Sequence, residues 1–496
     1  MNALLIGWAE ESLVPDKKVN VYGQFYERIS NYVETEITAT AMAISKGDQS
    51  AIIVSCDLTS INQYLIDQVK TDLLEMCPDF PVENLIIGAT HTHTSVGYTK
   101  KGVSSSAKDI LKEFMPPEKQ YTPIVTADDS VMSSDDALFF LSVRIAKAAK
   151  NAWENRAEGG FVNAFGRAVV GFCRRVCYND GSAQMWGDTN TGTFTHLEGG
   201  NDSGIELLYV YNNDNKLTGV VANIACPSQI LEHRSFISAD YWGEVKRNLR
   251  KELGDELFLL PMCGAGGDQC PRDLVRWVQP ETPINDPNIK RPDVIDRVAD
   301  PSMFDLSGCR RVGKRVSNEI LAVLEELGEP QTDAVFEHQV FTLDMPLRKA
   351  TIKEYNEAVR EIEYFVDKNK DKAFTFEDTA KMHVYAGTIA RYREQQTVET
   401  KPIEVHIIRL GDIAIATNPF ELFLDYGNRM KARARAKQTF IMQLTAGAMG
   451  YLPTEKAEQG GHYSAYISSG QFGHEGGDLL TRKTITTINE MFEKGE

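Results

Sequence analysis

Apolar residues in this chain come in short runs, and the spacing inside each run separates strands from helices. "AIIVSCDLTS" (Ala51–Ser60) is a continuous apolar run that closes in a turn, the pattern of a buried strand. "INQYLIDQVKTDLLEM" (Ile61–Met76) places Ile61, Leu65, Val69 and Leu73 on one helical face. "NLIIGAT" (Asn84–Thr90) predicts the next strand. A strand, a helix and a strand in that order predict a parallel crossover and an α/β layered fold. "DDALFFLSVRIAKAAKNAWENR" (Asp135–Arg156) predicts a long amphipathic helix capped by Asp135.

Further along, "KLTGVVANIACPS", "DELFLLPMCGAGGDQCPR" and "EVHIIRLGDIAIATNPFELF" are apolar β-type runs that break into Gly- or Pro-containing turns. Gly411–Asp412 predicts a hairpin turn inside the last of them. "CRRVGKRVSNEILAVLEELG" (Cys309–Gly328) predicts a helix stopped by Gly328. Thr351 and Glu354 form a capping-box pattern, and 351–397 predicts a helical pair inserted into the fold. Residues 104–134 and 277–303 are polar or rich in Pro and Asp, and predict surface loops. No clean linker interrupts the chain. The expectation is one large α/β domain over 1–496: a layered mixed β-sheet core flanked by helices, with helical and loop insertions.

Composition narrows the function classes. At 496 residues the chain can bury a large core. A formal charge of −17 argues against nucleic acid or an anionic membrane as partner, since both need a basic surface. The basic stretches "ARYREQQ" and "MKARARAK" therefore read as solvated helix faces. No apolar run approaches the ~18 residues a membrane span needs. The eight cysteines contain no CxxC and fit a reducing compartment rather than a disulfide scaffold. "MNALLIGWAEES" lacks a signal-peptide pattern, so the chain as given reads as cytoplasmic. A small-molecule substrate is the expected partner, with a homo-oligomer left open.

The polar residues of interest follow the strand runs: His91 and His93, Cys226, Asp268 and Cys270, Glu421, and Tyr451. In open α/β sheets ligands gather outside the carboxyl ends of strands, so these segments are candidates for one cleft. Two of only nine histidines stand one residue apart in "ATHTHTS". In extended backbone both would lie on one face, which suits two metal ligands or one ligand and a hydrogen-bonding helper. Loop histidines satisfied by backbone and solvent are the plainer alternative. His338, His383 and His406 stand alone in sequence and read as surface or packing residues. Trp186 reads as either a pocket rim or core packing.

Taken together, the ordered motifs resemble the neutral/alkaline non-lysosomal ceramidase family, zinc amidases that cleave N-acylsphingosines. The likeness runs from "IGWAEESLVPD" to "GYLPTEKAEQGGHYSA". It implies His91 as zinc ligand, His93 as active-site helper, Glu421 in "NPFELF" as carboxylate ligand and Tyr451 as phenolic ligand. Arg174 in "CRRVCY" would hold the substrate amide, with Arg175 as the neighbouring alternative. "ACPSQILEHRSFISADYWG" matches the segment of the family's second zinc histidine. Cys226 stands in the histidine's place, fourteen residues before Asp240. Cysteine is a legitimate zinc ligand, and His233 is a nearby substitute. In "GAGGDQCPR" Cys270 replaces the family's serine, as nucleophile, orienting group or inert thiol. The glycines, Gly267 among them, let backbone approach a ligand. Arg175, Gly267 and Gln269 are expected to touch substrate. The family's C-terminal β-sandwich domain is not represented.

The resemblance implies a hydrolase with one Zn2+ per chain, held by His91, Cys226, Glu421 and Tyr451. It would attack an amide, ester or lactone carbonyl, with His93 or Asp268 handling protons and Tyr451 or Arg174 holding the oxyanion. Polar residues flank the site segments, which points to a small polar or sugar-like substrate. A metal-free cysteine hydrolase built on Cys270 or Cys226 is one alternative. A non-catalytic ligand-binding protein is the other.

Overall fold

The computed structural model describes residues 3–24, 26–100, 106–115, 117–119, 128–278, 298–299 and 305–493. Strands β1 (Leu5–Ser12), β2 (Thr38–Lys46) and β3 (Gln49–Cys56) form an antiparallel meander. The chain then crosses through α1 (Gln63–Met76) to β4 (Leu85–Ala89), which pairs parallel with β3. α1 buries Leu65, Ile66, Val69 and Leu73, the face that the apolar spacing marks.

Helices α2 (Ser106–Phe114) and α3 (Ser134–Glu154) come next. α3 starts ahead of the predicted cap. Ser133 is the N-cap, and its hydroxyl accepts from the Asp136 N–H at 3.1 Å. Asp135 and Asp136 occupy the first turn, where the helix dipole favours carboxylates.

Strand β5 (Ala157–Arg167) precedes a hairpin of β6 (Arg175–Tyr178) and β7 (Ala183–Met185). β8 (Gly204–Asn212) and β9 (Leu217–Ile224) follow, and α4 (Tyr241–Leu253) carries the chain to β10 (Phe258–Cys263), parallel to β9. These strands make one eight-stranded sheet in the order β10-β9-β8-β5-β1-β2-β3-β4. α5 (Asp305–Leu324) begins earlier than expected and stops short of Gly328. Turn hydrogen bonds from the Glu325 and Glu326 N–H groups to Ala322 and Val323 end it instead. The stretch 277–303 lies outside the described residues except for Trp277–Val278 and Val298–Ala299, which pair antiparallel.

The second sheet contains β11 (Phe336–Pro346), β12 (Thr400–Leu410), β13 (Ile413–Thr417) and β14 (Gln438–Met442), in that order. Between β11 and β12 sit α6 (Ile352–Lys368) and α7 (Phe376–Glu394), the predicted helical pair. Each begins with a complete capping box, Thr351 with Glu354 and Thr375 with Asp378. Gly411, at φ 56°, makes the predicted turn between β12 and β13. α8 (Leu424–Arg433) crosses from β13 to a parallel β14. α9 (Glu455–Gly460) and α10 (His474–Glu493) complete the described chain.

Part of 104–134 lies outside the described residues, but the described part is not a surface loop. Ile110 and Leu111 of α2 are buried against Ile362, Met382 and Ile389 of the helical pair. At nine residues α2 is too short to announce itself by periodicity, and packing stabilises it.

Ile53, Leu208, Val221 and Leu260 of the first sheet pack against Ile408, Ile413, Ile415 and Phe440 of the second. α1 and α3 cover the outer face of one half of the first sheet, and α4 and α5 the other half. α8 and α10 cover the second sheet. The result is a helix–sheet–sheet–helix sandwich of mixed strands, the layered α/β core that the run pattern predicts. Among the described residues no helix is long and apolar enough to cross a membrane.

His338 and His406 are not isolated. The pairing of β11 with β12 places them diagonally, and His338 Nε2 lies 3.0 Å from His406 Nδ1. His338 Nδ1 donates to Ser50 O at 3.0 Å, and His406 Nε2 lies 3.1 Å from Glu404 Oε1.

Candidate active site at the strand ends

Three parallel crossovers end on the same side. The backbone after β4, β9, β10 and β14 is stitched together there. Ser228 N–H donates to Thr90 O, Gly264 N–H to Ile224 O, Gln443 N–H to Cys263 O, and Ala89 N–H to Leu444 O. Gly267 N–H donates to Leu422 O, and a Cβ on Gly267 would lie 2.3 Å from Glu421 O. That glycine is required by the neighbouring chain rather than by a ligand.

His91 is the centre of the site. Its backbone has φ 66°, a conformation most residues avoid and one that clusters at functional positions. Its Nδ1 lies 2.6 Å from Thr59 O and must donate there, because a carbonyl only accepts. Neutral His91 therefore presents a bare Nε2. That atom lies 3.2 Å from His93 Nε2 and 3.6 Å from Glu421 Oε2. Burial lowers the His91 pKa, with Arg174 adding to the effect and Glu421 opposing it. Burial and the neighbouring His91, Arg28 and Arg174 hold His93 well below the usual histidine range.

Glu421 pairs in register with Tyr451 in a two-residue parallel bridge. Arg174 Nη2 lies 4.0 Å from Glu421 Oε2, and donates to Gly267 O at 3.0 Å and to the Tyr451 hydroxyl at 3.4 Å. The Tyr451 and Tyr463 hydroxyls are 2.7 Å apart. Burial, the Glu421 carboxylate and Tyr463 push the Tyr451 phenol well above its ordinary value, and burial takes Tyr463 up to about 12. Both phenols are protonated at neutral pH.

A buried ion pair flanks His93. Glu232 Oε2 is 3.7 Å from His93 Nδ1, and Glu232 Oε1 is 3.1 Å from Arg272 Nη2. Arg28 ties this corner by donating to the carbonyls of Glu232, Tyr22 and His93. The guanidiniums of Arg174 and Arg272 stand 5.5 and 5.0 Å from the Trp186 ring, at a half-buried residue with φ 58°.

Other expected site residues have other occupations. Cys226 is 0 % exposed, and its thiol faces Pro227 O at 3.5 Å within an apolar cluster. No hydrogen bond joins it to His91, Glu421 or Tyr451. Burial pushes the Cys270 thiol up to about 12 and Cys226 well above the usual thiol range. Neither thiol bonds to a histidine. Asp268 Oδ1 accepts the Leu424 N–H at 2.9 Å, at the start of α8, and burial raises its pKa to about 6. Gln269 Nε2 donates to Gly200 O at 3.1 Å. His233 Nε2 lies 3.7 Å from Asp305. All five N–H groups of Arg175 meet protein acceptors, so none is left for a substrate. The motifs alone do not bring Tyr463, Glu232, Arg28 and Gln229 to the site, the last of which accepts from Arg174 Nη1 at 3.4 Å. Tyr463 stands in the quoted "GGHYSA", but Glu232 carries no pattern to mark it.

The fold has a known counterpart. The crystal structure of neutral ceramidase from Pseudomonas aeruginosa superposes with a TM-score of 0.67 at 13 % identity, over 100 % of this chain and 75 % of that one. The chain has a ceramidase-like fold. A second solved structure, of ceramidase complexed with C2, gives the same score and identity over 76 % of its chain. No family model matches the sequence, and no curated protein does. The ceramidase-like fold is thus reached by a sequence that has diverged far from those two structures. Among the described residues, no group of three or more His, Cys, Asp or Glu side chains is arranged to hold a metal ion.

Proposed function

We propose that the chain is a hydrolase of an amide, ester or lactone carbonyl, assisted by a divalent metal, with a small polar or sugar-like substrate. The observation that carries this reading is the fixed His91 tautomer. It turns a bare Nε2 toward the Glu421 carboxylate at 3.6 Å. Two lone-pair donors facing each other in a buried site want a cation between them. Their separation is close to the edge of a tetrahedral zinc site, about 3.3 Å for bonds near 2 Å. Bonding of the far imidazole nitrogen to a carbonyl is also the usual support of a metal-ligating histidine. His91, Glu421 and the Tyr451 phenol would hold the ion. Cys226 is not among them, given its apolar surroundings. When bound, such an ion polarises a carbonyl and lowers the pKa of water.

The remaining chemistry belongs to the chain. His93, kept neutral by burial, carries its proton on the Nε2 that faces the bare His91 Nε2 at 3.2 Å, where it can pass a proton to substrate, and Glu232, 3.7 Å from Nδ1, offsets the charge of its protonated form. Arg174 and the protonated Tyr463 supply donors for a developing oxyanion. The charged groups of Arg174, Arg272 and Glu232 beside His93 and Trp186 favour a polar substrate over an apolar one. The likeness to neutral ceramidase supports hydrolysis as the reaction type. The test is metal content together with turnover of N-acyl p-nitroanilides, p-nitrophenyl esters and lactones. About one zinc per chain, lost with activity in His91→Ala, is expected; full metal and full rate in that variant would refute the reading.

Metal-free ligand binding is the second reading, favoured by the absence of a three-residue His, Cys, Asp or Glu cluster among the described residues. A protein that binds no zinc, turns over nothing in that panel and is stabilised by a polar ligand would establish it. The raised thiols of Cys226 and Cys270 count against a cysteine nucleophile.

A further inference from the structure

Arg174 and Arg175 are consecutive, and extended backbone turns successive side chains to opposite faces. Arg174 enters the candidate site. Arg175, the first residue of β6, goes the other way and is 0 % exposed. A guanidinium carries five N–H groups. Those of Arg175 find Glu198 Oε1 at 2.8 Å, Tyr463 O and Ser464 Oγ at 3.3 Å each, Ala457 O at 3.1 Å and Gly461 O at 3.0 Å. Four of these acceptors lie within Ala457–Ser464.

That segment does not take its shape unaided. Gly461, His462 and Ser464 have φ values of 72, 70 and 72°, and two of the three are not glycine. Left-handed backbone is disfavoured for such residues and persists only where the surroundings hold it. The hairpin partner of β6 adds one more tie, since Met185 N–H donates to His462 Nδ1 at 3.1 Å. Gly460 passes so close that a Cβ there would lie 2.8 Å from Ala183 Cβ. The outcome is the placement of Tyr463. Its residue is 38 % exposed, yet its hydroxyl reaches inward to 2.7 Å from that of Tyr451.

We propose that Arg175 is a positioning residue: it clamps the strained Gly461–Ser464 turn to the β6–β7 hairpin and so delivers the Tyr463 hydroxyl to the candidate site. One dipeptide then sets both phenols, Tyr451 through Arg174 and Tyr463 through Arg175. The kinetic arm of the test rests on the hydrolase reading; the structural arm does not.

The kinetic arm compares Arg175→Lys, Tyr463→Phe and the double variant on a zinc-supplemented N-acyl p-nitroanilide assay. Arg175→Lys keeps a positive charge but loses the five-fold fork. It is expected to lower kcat roughly 10- to 100-fold, as a misplaced group does, with KM little changed. If Arg175 acts through Tyr463, the double variant is no slower than Tyr463→Phe; losses that multiply overturn the proposal. The structural arm is hydrogen exchange of amides 461–466 and nitration of Tyr463 by tetranitromethane. Both are expected to rise in Arg175→Lys while β9 and β10 stay protected, and wild-type protection of the turn in a folded variant overturns the proposal. Should Arg175→Lys not fold, Glu198→Gln weakens the one charged partner of Arg175 among the described residues and should loosen the same turn to a smaller degree. Unchanged exchange there overturns the proposal equally. A wild-type chain without turnover sinks the hydrolase reading alone, and the exchange result then decides the role of Arg175.

Discussion

The units β3–α1–β4 and β9–α4–β10 are built alike and end differently. Each is a parallel crossover with buried strands, and their carboxyl ends are joined by backbone hydrogen bonds on the same side of the sheet. After β4 the chain kinks at His91 and brings two imidazoles into the buried candidate site, one of them fixed by Thr59 O. After β9 it runs into Cys226, whose side chain joins the apolar packing. The helices differ in the opposite sense. The cap of α1, Asn62, accepts from no helix N–H, and its side chain donates instead to the Tyr64 hydroxyl at 3.1 Å. The cap of α4, Asp240, is buried and accepts from Leu231 N–H and Tyr241 N–H, each at 2.8 Å. Equivalent topology therefore supplies a location, while the residue just past the strand decides whether that location presents imidazoles to the candidate site or packs into the core.

The comparison predicts its own tests. The largest effect belongs to His91→Ala, which should remove bound zinc and lower kcat/KM by on the order of 10^3-fold, the several kcal/mol that metal assistance supplies. Elemental analysis and turnover of the p-nitroanilide check it. Asp240→Ala should cost about 2–3 kcal/mol in urea unfolding, because it strips a buried cap that serves two N–H groups. Asn62→Ala in the sister unit should cost under about 0.5 kcal/mol; equal losses would erase the contrast. Cys226→Ala should cost about 1 kcal/mol through a small cavity and leave zinc content unchanged. Loss of zinc from that variant would restore Cys226 as a ligand and make the two strand ends chemically equivalent.

A further effect is one of pH. Asp240 has its pKa raised to about 6 by burial, above its ordinary value near 3.8. A raised folded pKa gives stability that is complete below the unfolded pKa and is lost as pH rises through the folded one. His91 and His93, with lowered pKa values, act oppositely, and their contribution is lost as pH falls below the ordinary histidine value. The two units thus oppose one another between pH 4 and 6. Asp240→Asn should remove its share and increase proton uptake on unfolding near pH 5 by about one proton. Unfolding free energies measured across that range would show an unchanged slope if Asp240 is not buried as described.

Much of this molecule is legible as pattern. The spacing of Leu65, Val69 and Leu73, the Thr351–Glu354 box and the Gly411 turn are local signals, and each element stands where its signal lies. Helix edges are less legible, because Ser133 and Asp135 are both good caps and only the hydrogen bond to Asp136 chooses between them. α2 was hidden by its brevity, and the His338–His406 contact by the register of two strands far apart in sequence. The motifs locate His91, Glu421 and Tyr451 but not the corner formed by Arg28, Glu232 and Arg272, whose partners come from three separate segments.

The order of apolar runs and turns therefore determined the layered α/β architecture and the strand ends at which chemistry is placed, because periodicity and capping act over a few residues. Tertiary structure alone decided what each polar side chain does there. Arg174 and Arg175 are neighbours of identical chemistry, yet one lines the site and the other grips a loop. The choice rests on which face of a strand each side chain leaves and on which acceptors distant segments bring to it.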